Sequence, residues 1–245
     1  MNLYGIDFGH TNYKVAFCEN GNISAIYKND YNEVSVSDDI LNIIKKNDFE
    51  KILCCSVLNK SILDMIIKDF PAELKSNIKF FKPEDCQSYI DLSYKKNITR
   101  FGVDRAISLV AASQMTNEDL IVIDAGTATT IDYLDSNKVH IGGIILPSKE
   151  IIDNIFYKML DFNFYEEDFS NDVFSKNTRS CIENGSYISA YGSINNILFE
   201  MMKLRSSKPT IYVTGGNAQH IIDNCNYSTI HVESLLFNGL MVLGR

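Results

Sequence analysis

The apolar positions of this chain fall into short runs separated by polar turns, and one arrangement of runs occurs twice. Leu3–Asp7 is an apolar lead into Asp7-Phe8-Gly9-His10-Thr11, and Tyr13–Phe17 follows as a second run. The polar turn Glu19-Asn20-Gly21-Asn22 then separates it from a third run, Ile23–Tyr27. Runs of this length bounded by turn residues predict strands. In mid-chain the order returns. Leu120–Asp124 leads into Asp124-Ala125-Gly126-Thr127-Ala128-Thr129, followed by Thr130–Leu134, the turn Asp135-Ser136-Asn137-Lys138 and Val139–Leu146. Each copy reads strand, glycine turn, strand, polar turn, strand, and the two stand nearly half the chain apart. The echo predicts two similar halves in tandem, residues 1–116 and 117–245.

Between the copies the period changes. Helical spacing predicts helices over Asp38–Lys46, Lys60–Lys68 and Asp104–Met115, the last with Ile107, Val110 and Ala111 inward. Lys51–Val57 and Ile78–Phe81 read as strands. In the second half, Ile151–Leu160, Asn184–Lys203 and Leu235–Leu243 read as helices and Thr210–Val213 as a strand. Strand–helix alternation in each half predicts α/β architecture with mixed sheets. No Gly-, Ser- or Pro-rich tether separates the halves, which predicts a hinge.

Composition narrows the function classes. With 245 residues, 45% of them hydrophobic, the chain can bury one large or two small cores. Its net charge of −8 lacks the basic field that sequence-blind nucleic-acid binding needs, so no nucleic-acid partner is expected. A phosphate ligand stays compatible, because backbone N–H groups and a few local cations can hold one. The six cysteines form no C-x-x-C pair, and Cys54 and Cys55 lie inside an apolar run. They read as reduced core thiols of a cytoplasmic protein. Met1–Phe8 does not read as a signal peptide. No apolar run approaches the roughly 20 residues that span a bilayer. No membrane association is expected.

The candidate chemistry gathers around three aspartates. A glycine between two strands lets the backbone turn tightly and present N–H groups to a phosphate, while the preceding aspartate can orient a hydrated cation. For the loop at Asp7 alone, a plain hairpin would look the same; the equivalent loop at Asp124 favours phosphate handling. Lys14 adds positive charge at the mouth of the second strand. Asp104 reads either as a helix N-cap or as a carboxylate that aligns an alcohol for phosphoryl transfer. Arg105 is either a surface arginine or a bidentate fork for a carboxylate. Thr178 could cap the next helix or touch a ligand. The four histidines show no metal-ligand spacing.

These motifs, in this order, resemble the type III pantothenate kinase family across essentially the whole chain. The family loop D-x-G-N-T-x-x-K is matched by Asp7–Lys14, and G-x-D-R by Gly102-Val103-Asp104-Arg105. D-x-G-T-A-x-T is matched by Asp124–Thr130, followed by G-G-x-I-x-P at Gly142–Pro147. N-T-x-x-[AC]-I-x-x-G is matched by Asn177–Gly185, and T-G-G-x-A by Thr214–Ala218. The resemblance implies two tandem RNase H-like subdomains of the actin/hexokinase/Hsp70 type, with an ATP cleft between them. It implies ATP-dependent phosphorylation of pantothenate to 4'-phosphopantothenate, the first step of coenzyme A biosynthesis.

Carried over residue by residue, Asp104 would be the general base. Asp7, Phe8, Gly9, His10, Thr11, Asn12, Tyr13, Lys14 and Thr127 would bind ATP with magnesium. Gly102, Val103, Asp104, Arg105 and Thr178 would meet pantothenate, and Asp124 would ligate a monovalent cation, potassium or ammonium. A homodimer is implied as well. The chain departs from the pattern at His10, where the family has asparagine, at Ile98 for proline and at Ser148 for glycine. Counting back from Asp104, the family's substrate tyrosine falls on Lys95; a one-residue bulge would place Tyr94 there. Other sugar or acetate kinases of the fold share the phosphate loops but have no reason to carry G-x-D-R. A non-catalytic transcriptional accessory role is the alternative from another class, and retention of Asp7, Asp104 and Asp124 argues against it.

Overall fold

The computed structural model describes residues 2–31, 35–92, 97–160 and 172–245. The chain divides into two compact units: Met1–Asn117 with Asn137–Ile141 and Ser234–Arg245, and Glu118–Ser136 with Gly142–Glu233.

In the first unit, β1 (Asn2–Phe8), β2 (Asn12–Glu19), β3 (Asn22–Asp30), β4 (Lys51–Ser56) and β5 (Ile78–Phe80) form one sheet in the order β3-β2-β1-β4-β5. β1 runs antiparallel to β2 and parallel to β4. Strand alternation sends Tyr4, Ile6 and Phe8 to one face, with Ile52 and Cys54 of β4. There they pack with Ile40, Ile43 and Ile44 of α1 (Val36–Ile44) and Ile66 of α2 (Lys60–Ile67). Ser35 caps α1 by accepting from the Asp38 N–H. A short α3 (Ala72–Ser76) precedes β5.

The opposite face is covered by α4 (Val103–Ser113) and α9 (Leu235–Leu243). Close approach sets the residue choice here. A Cβ on Gly5 would meet Phe237 at 2.8 Å, and one on Gly239 would stand 2.2 Å from the Ile107 carbonyl oxygen. The two helices can touch at this depth because glycine stands at the crossing.

The second unit repeats the plan. β6 (Leu120–Ala125), β7 (Ala128–Leu134), β8 (His140–Pro147), β9 (Thr210–Thr214) and β10 (Thr229–His231) line up as β10-β9-β6-β7-β8. β6 is antiparallel to β7 and parallel to β9, as β1 is to β2 and β4. Ile121, Ile123, Ile131, Ile211 and Val213 form the inner face, with Tyr191, Ile194, Leu198 and Ile221 packed on it.

The helices are α5 (Lys149–Leu160), α6 (Thr178–Tyr187), α7 (Ser193–Arg205) and α8 (Ala218–Asn224). The single helix expected over Asn184–Lys203 begins earlier and is interrupted. Its first turn is set by Asn177, whose side chain accepts from the Ser180 N–H, and a π-helical stretch, Ile188–Gly192, joins α6 to α7. The polar sequence of α6 conceals its periodicity, so only the cap announces it. Among the described residues no helix is long and apolar enough to cross a membrane.

Candidate active site

In the first unit the site is built on the sheet face opposite Phe8. Asp7 pairs in register with Lys14 of β2 and Cys55 of β4, so the three side chains share a face. The Cys55 thiol donates to Oδ1 of Asp7 at 3.4 Å. Burial pushes the Asp7 carboxyl up to about 6; Lys14 opposes that rise, Asp104 adds to it by like-charge repulsion, and the Cys55 hydrogen bond opposes it.

The turn after β1 is tight. A Cβ on Gly9 would stand 2.9 Å from the Asn12 carbonyl oxygen, and the Tyr31 hydroxyl donates to the Gly9 carbonyl at 2.8 Å. His10 and Thr11 are exposed at the tip. Phe8 and Tyr13 belong to the core cluster, leaving only their backbone for a ligand. The Tyr13 hydroxyl donates to Asp39 at 2.6 Å, and burial reinforced by that bond pushes it up to about 12.

Asp104 is the second residue of α4, whose N-cap is Gly102, so its capping alternative does not describe the structure. Its Oδ1 accepts from the Arg105 N–H at 2.8 Å. A Cβ on Gly102 would lie 2.7 Å from that same oxygen, so glycine leaves the carboxylate room to fold back over the helix start. Burial raises the Asp104 carboxyl; the Arg105 N–H bond, the Arg105 charge and His10 oppose the rise. Arg105 is buried rather than superficial, its guanidinium 4.5 Å from the Phe101 ring centre. Val103 is buried beside it.

In the second unit Asp124 stands near the end of β6, in register with Thr130 and Thr214. The T-G-G turn folds onto this strand end. Gly215 has φ +95°, and a Cβ there would lie 2.6 Å from both the Ala125 carbonyl and Asp124 Oδ1. The Asn217 N–H closes the turn on the Ala125 carbonyl at 3.0 Å. Thr127 is exposed in the β6–β7 turn, and Thr178 is exposed as the first residue of α6, with Asn177 as the cap. Tyr94 and Lys95 lie outside the described residues.

Sequence reasoning passed over two features. Cys55 read as an ordinary core thiol, and only the β1–β4 register reveals its contact with Asp7. A cavity of about 310 Å³ in the second unit is walled by Tyr187, Tyr191 and His220, with Lys149, Glu150 and Glu183 at its polar side. Tyr187 and Tyr191 meet edge to face at 4.9 Å, and Tyr191 lies 5.5 Å from His220. His220 stands on the helix that starts from the T-G-G turn, and the i, i+4 spacing of the tyrosines was the available signal. Among the described residues no group of three His, Cys, Asp or Glu side chains is arranged to hold a metal ion.

Known proteins resemble this chain in sequence and in fold. The family model for type III pantothenate kinase matches residues 3–200. A type III pantothenate kinase from Bacillus cytotoxicus is 24% identical over 249 residues, covering 98% of this chain and 95% of the relative. Among solved structures, a Campylobacter jejuni protein described as a Baf family transcriptional activator superposes with a TM-score of 0.59 at 21% identity, over 98% of this chain and 96% of that one. The Clostridium difficile activator of 2-hydroxyisocaproyl-CoA dehydratase, solved with ADPNP, gives 0.50 at 12% identity, over 98% and 92%. At these identities the two structures establish the fold alone, that of the actin-like ATPases. The family model and the full-length relative establish more: this chain belongs to the type III pantothenate kinase family.

Proposed function

We propose that the protein transfers the γ-phosphoryl group of ATP to the hydroxyl of pantothenate, with Asp104 as the base. The carrying observation is the Asp104 carboxylate, seated at the start of α4 by Gly102 beside buried Arg105. In phosphoryl transfer through a loose transition state, the base orients the hydroxyl and accepts its proton late, as the bond from phosphorus to the departing ADP breaks. A carboxyl raised by burial is better matched to that proton than an ordinary one. Arg105 would pair with the pantothenate carboxylate, and Gly102, Val103 and Thr178 would line its site.

The loop Asp7–Lys14 would hold the ATP phosphates through its N–H groups and Lys14, with Thr127 as a further contact. The cavity at Tyr187, Tyr191 and His220 would take the adenosine end, because α8 carries His220 directly on from the T-G-G turn. Asp7 suits magnesium: its charge is disfavoured by burial, and a hard cation with oxygen ligands offsets that. Asp7 would hold the ion directly or through water; when bound, it neutralises phosphate charge. Asp124, with the Ala125 carbonyl nearby, offers an oxygen-only set suited to potassium or ammonium. A homodimer fits the apolar face that α5 exposes through Ile155, Phe156, Met159 and Leu160.

Protein incubated with ATP, magnesium, potassium and pantothenate should yield phosphopantothenate by mass spectrometry. No product above a protein-free control would sink the kinase reading. Asp104→Asn should lose on the order of 10²–10⁴-fold in kcat. Near-normal turnover in that variant would remove Asp104 from the role.

A further inference from the structure

We infer that Cys55 is a positioning residue for phosphoryl transfer: its thiol, donated to Oδ1 of Asp7, holds that carboxylate in the orientation that receives magnesium-bound ATP. The inference rests on the reading of Asp7 given above. Neighbouring cysteines on β4 make the case by contrast. Cys54 alternates into the apolar core with Ile6 and Ile52. Cys55 alternates to the other face, is fully buried, and stands in register with Asp7. Its hydrogen bond reaches across the sheet to a half-buried carboxylate.

Asp7 and Asp104 both stand close enough to this thiol to act on it electrostatically. An acidic group at the same place would add a third negative charge to the two carboxylates. A methyl group would leave Oδ1 without this donor and the carboxylate freer to turn. A thiol is a weak donor, so the effect is modest, and serine is the conservative replacement.

The test compares C55S, C55A, C55V and C54A. ADP binding with and without magnesium is measured by calorimetry, KM for ATP and for pantothenate by steady-state kinetics, and folding by thermal melting. C55S should stay within about twofold of wild type for magnesium–ADP. C55A and C55V should weaken magnesium–ADP binding and raise KM for ATP by about three- to tenfold, as expected for one lost hydrogen bond of ordinary strength. ADP binding without magnesium and KM for pantothenate should not move. C54A should lower the melting temperature and leave magnesium–ADP binding unchanged.

Wild-type affinity in C55A, C55S as weak as C55A, or an equal loss in C54A would each overturn the role of the thiol. If C55A or C55V fails to fold, C55S and C54A decide by the same criteria. Wild type that binds no magnesium–ADP would overturn the reading of Asp7, and this inference with it.

Discussion

Replacing Asp7 by asparagine separates what this carboxylate costs the fold from what it does for the reaction. In the folded chain it titrates at about 6, against about 4 in an unfolded peptide. The native state therefore holds the proton more tightly, and ionisation works against folding. As pH rises from about 4 through 6, stability is lost; as pH falls through the same window, it returns. A gap of about two units corresponds to about 3 kcal/mol at full ionisation. Because Asp7 is only partly buried, solvent screening reduces that to about 1–2 kcal/mol.

An amide has the same shape, carries no charge and still accepts from Cys55. Asp7→Asn should therefore be more stable than wild type at pH 8, by about 2–8 °C in melting temperature for a chain of this size. The advantage should largely vanish at pH 4. Scanning calorimetry with a chelator and no nucleotide measures it, while the same variant should lose phosphoryl transfer. An Asp7→Asn protein no more stable than wild type at pH 8, or one whose advantage persists unchanged at pH 4, would refute the reasoning.

Three further outcomes can be checked. Since Asp104 must be ionised to accept a proton and burial raises its carboxyl, the acid limb of kcat/KM should lie above the ordinary carboxylate range; a profile flat down to pH 4 contradicts this. Gly215→Ala puts a Cβ at φ +95° against the Ala125 carbonyl, and should cost about 2–4 kcal/mol in a denaturation experiment. Exchanging potassium for sodium should lower turnover through the site given to Asp124; unchanged activity would count against that assignment.

Most strands were legible because their apolar runs end in Gly, Asn or Asp turns. The repeated Asp-x-Gly motif pointed to two sheets, and both have the same strand order, with β6 antiparallel to β7 and parallel to β9 as β1 is to β2 and β4. What stayed hidden depends on contacts distant in sequence. Asp7 and Cys55 meet only through the parallel register of β1 and β4, which no local pattern encodes. α8 and β10 are too short to show a period. The capping alternatives for Asp104 and Thr178 each missed by a residue or two, because Gly102 and Asn177 take those places. Spacing identified α9 over Leu235–Leu243 but not the unit it completes.

That last helix sets an order of assembly. α9 packs on α4, β1 and β4, yet the ribosome makes it after all the strands of the second unit. The first unit carries Asp7, Cys55 and Asp104, and the sheet face of Asp7 and Cys55 has only α4 to cover it until synthesis reaches residue 235. Its contacts are therefore among the longest-range in sequence, a topology that slows folding. Trimming the chain back to Glu233 would expose Gly5, Leu53 and Ile107, all in the first half of the polypeptide. Loss of activity in such a truncation would report an unfinished amino-terminal unit, although no residue of the phosphate loops had been touched.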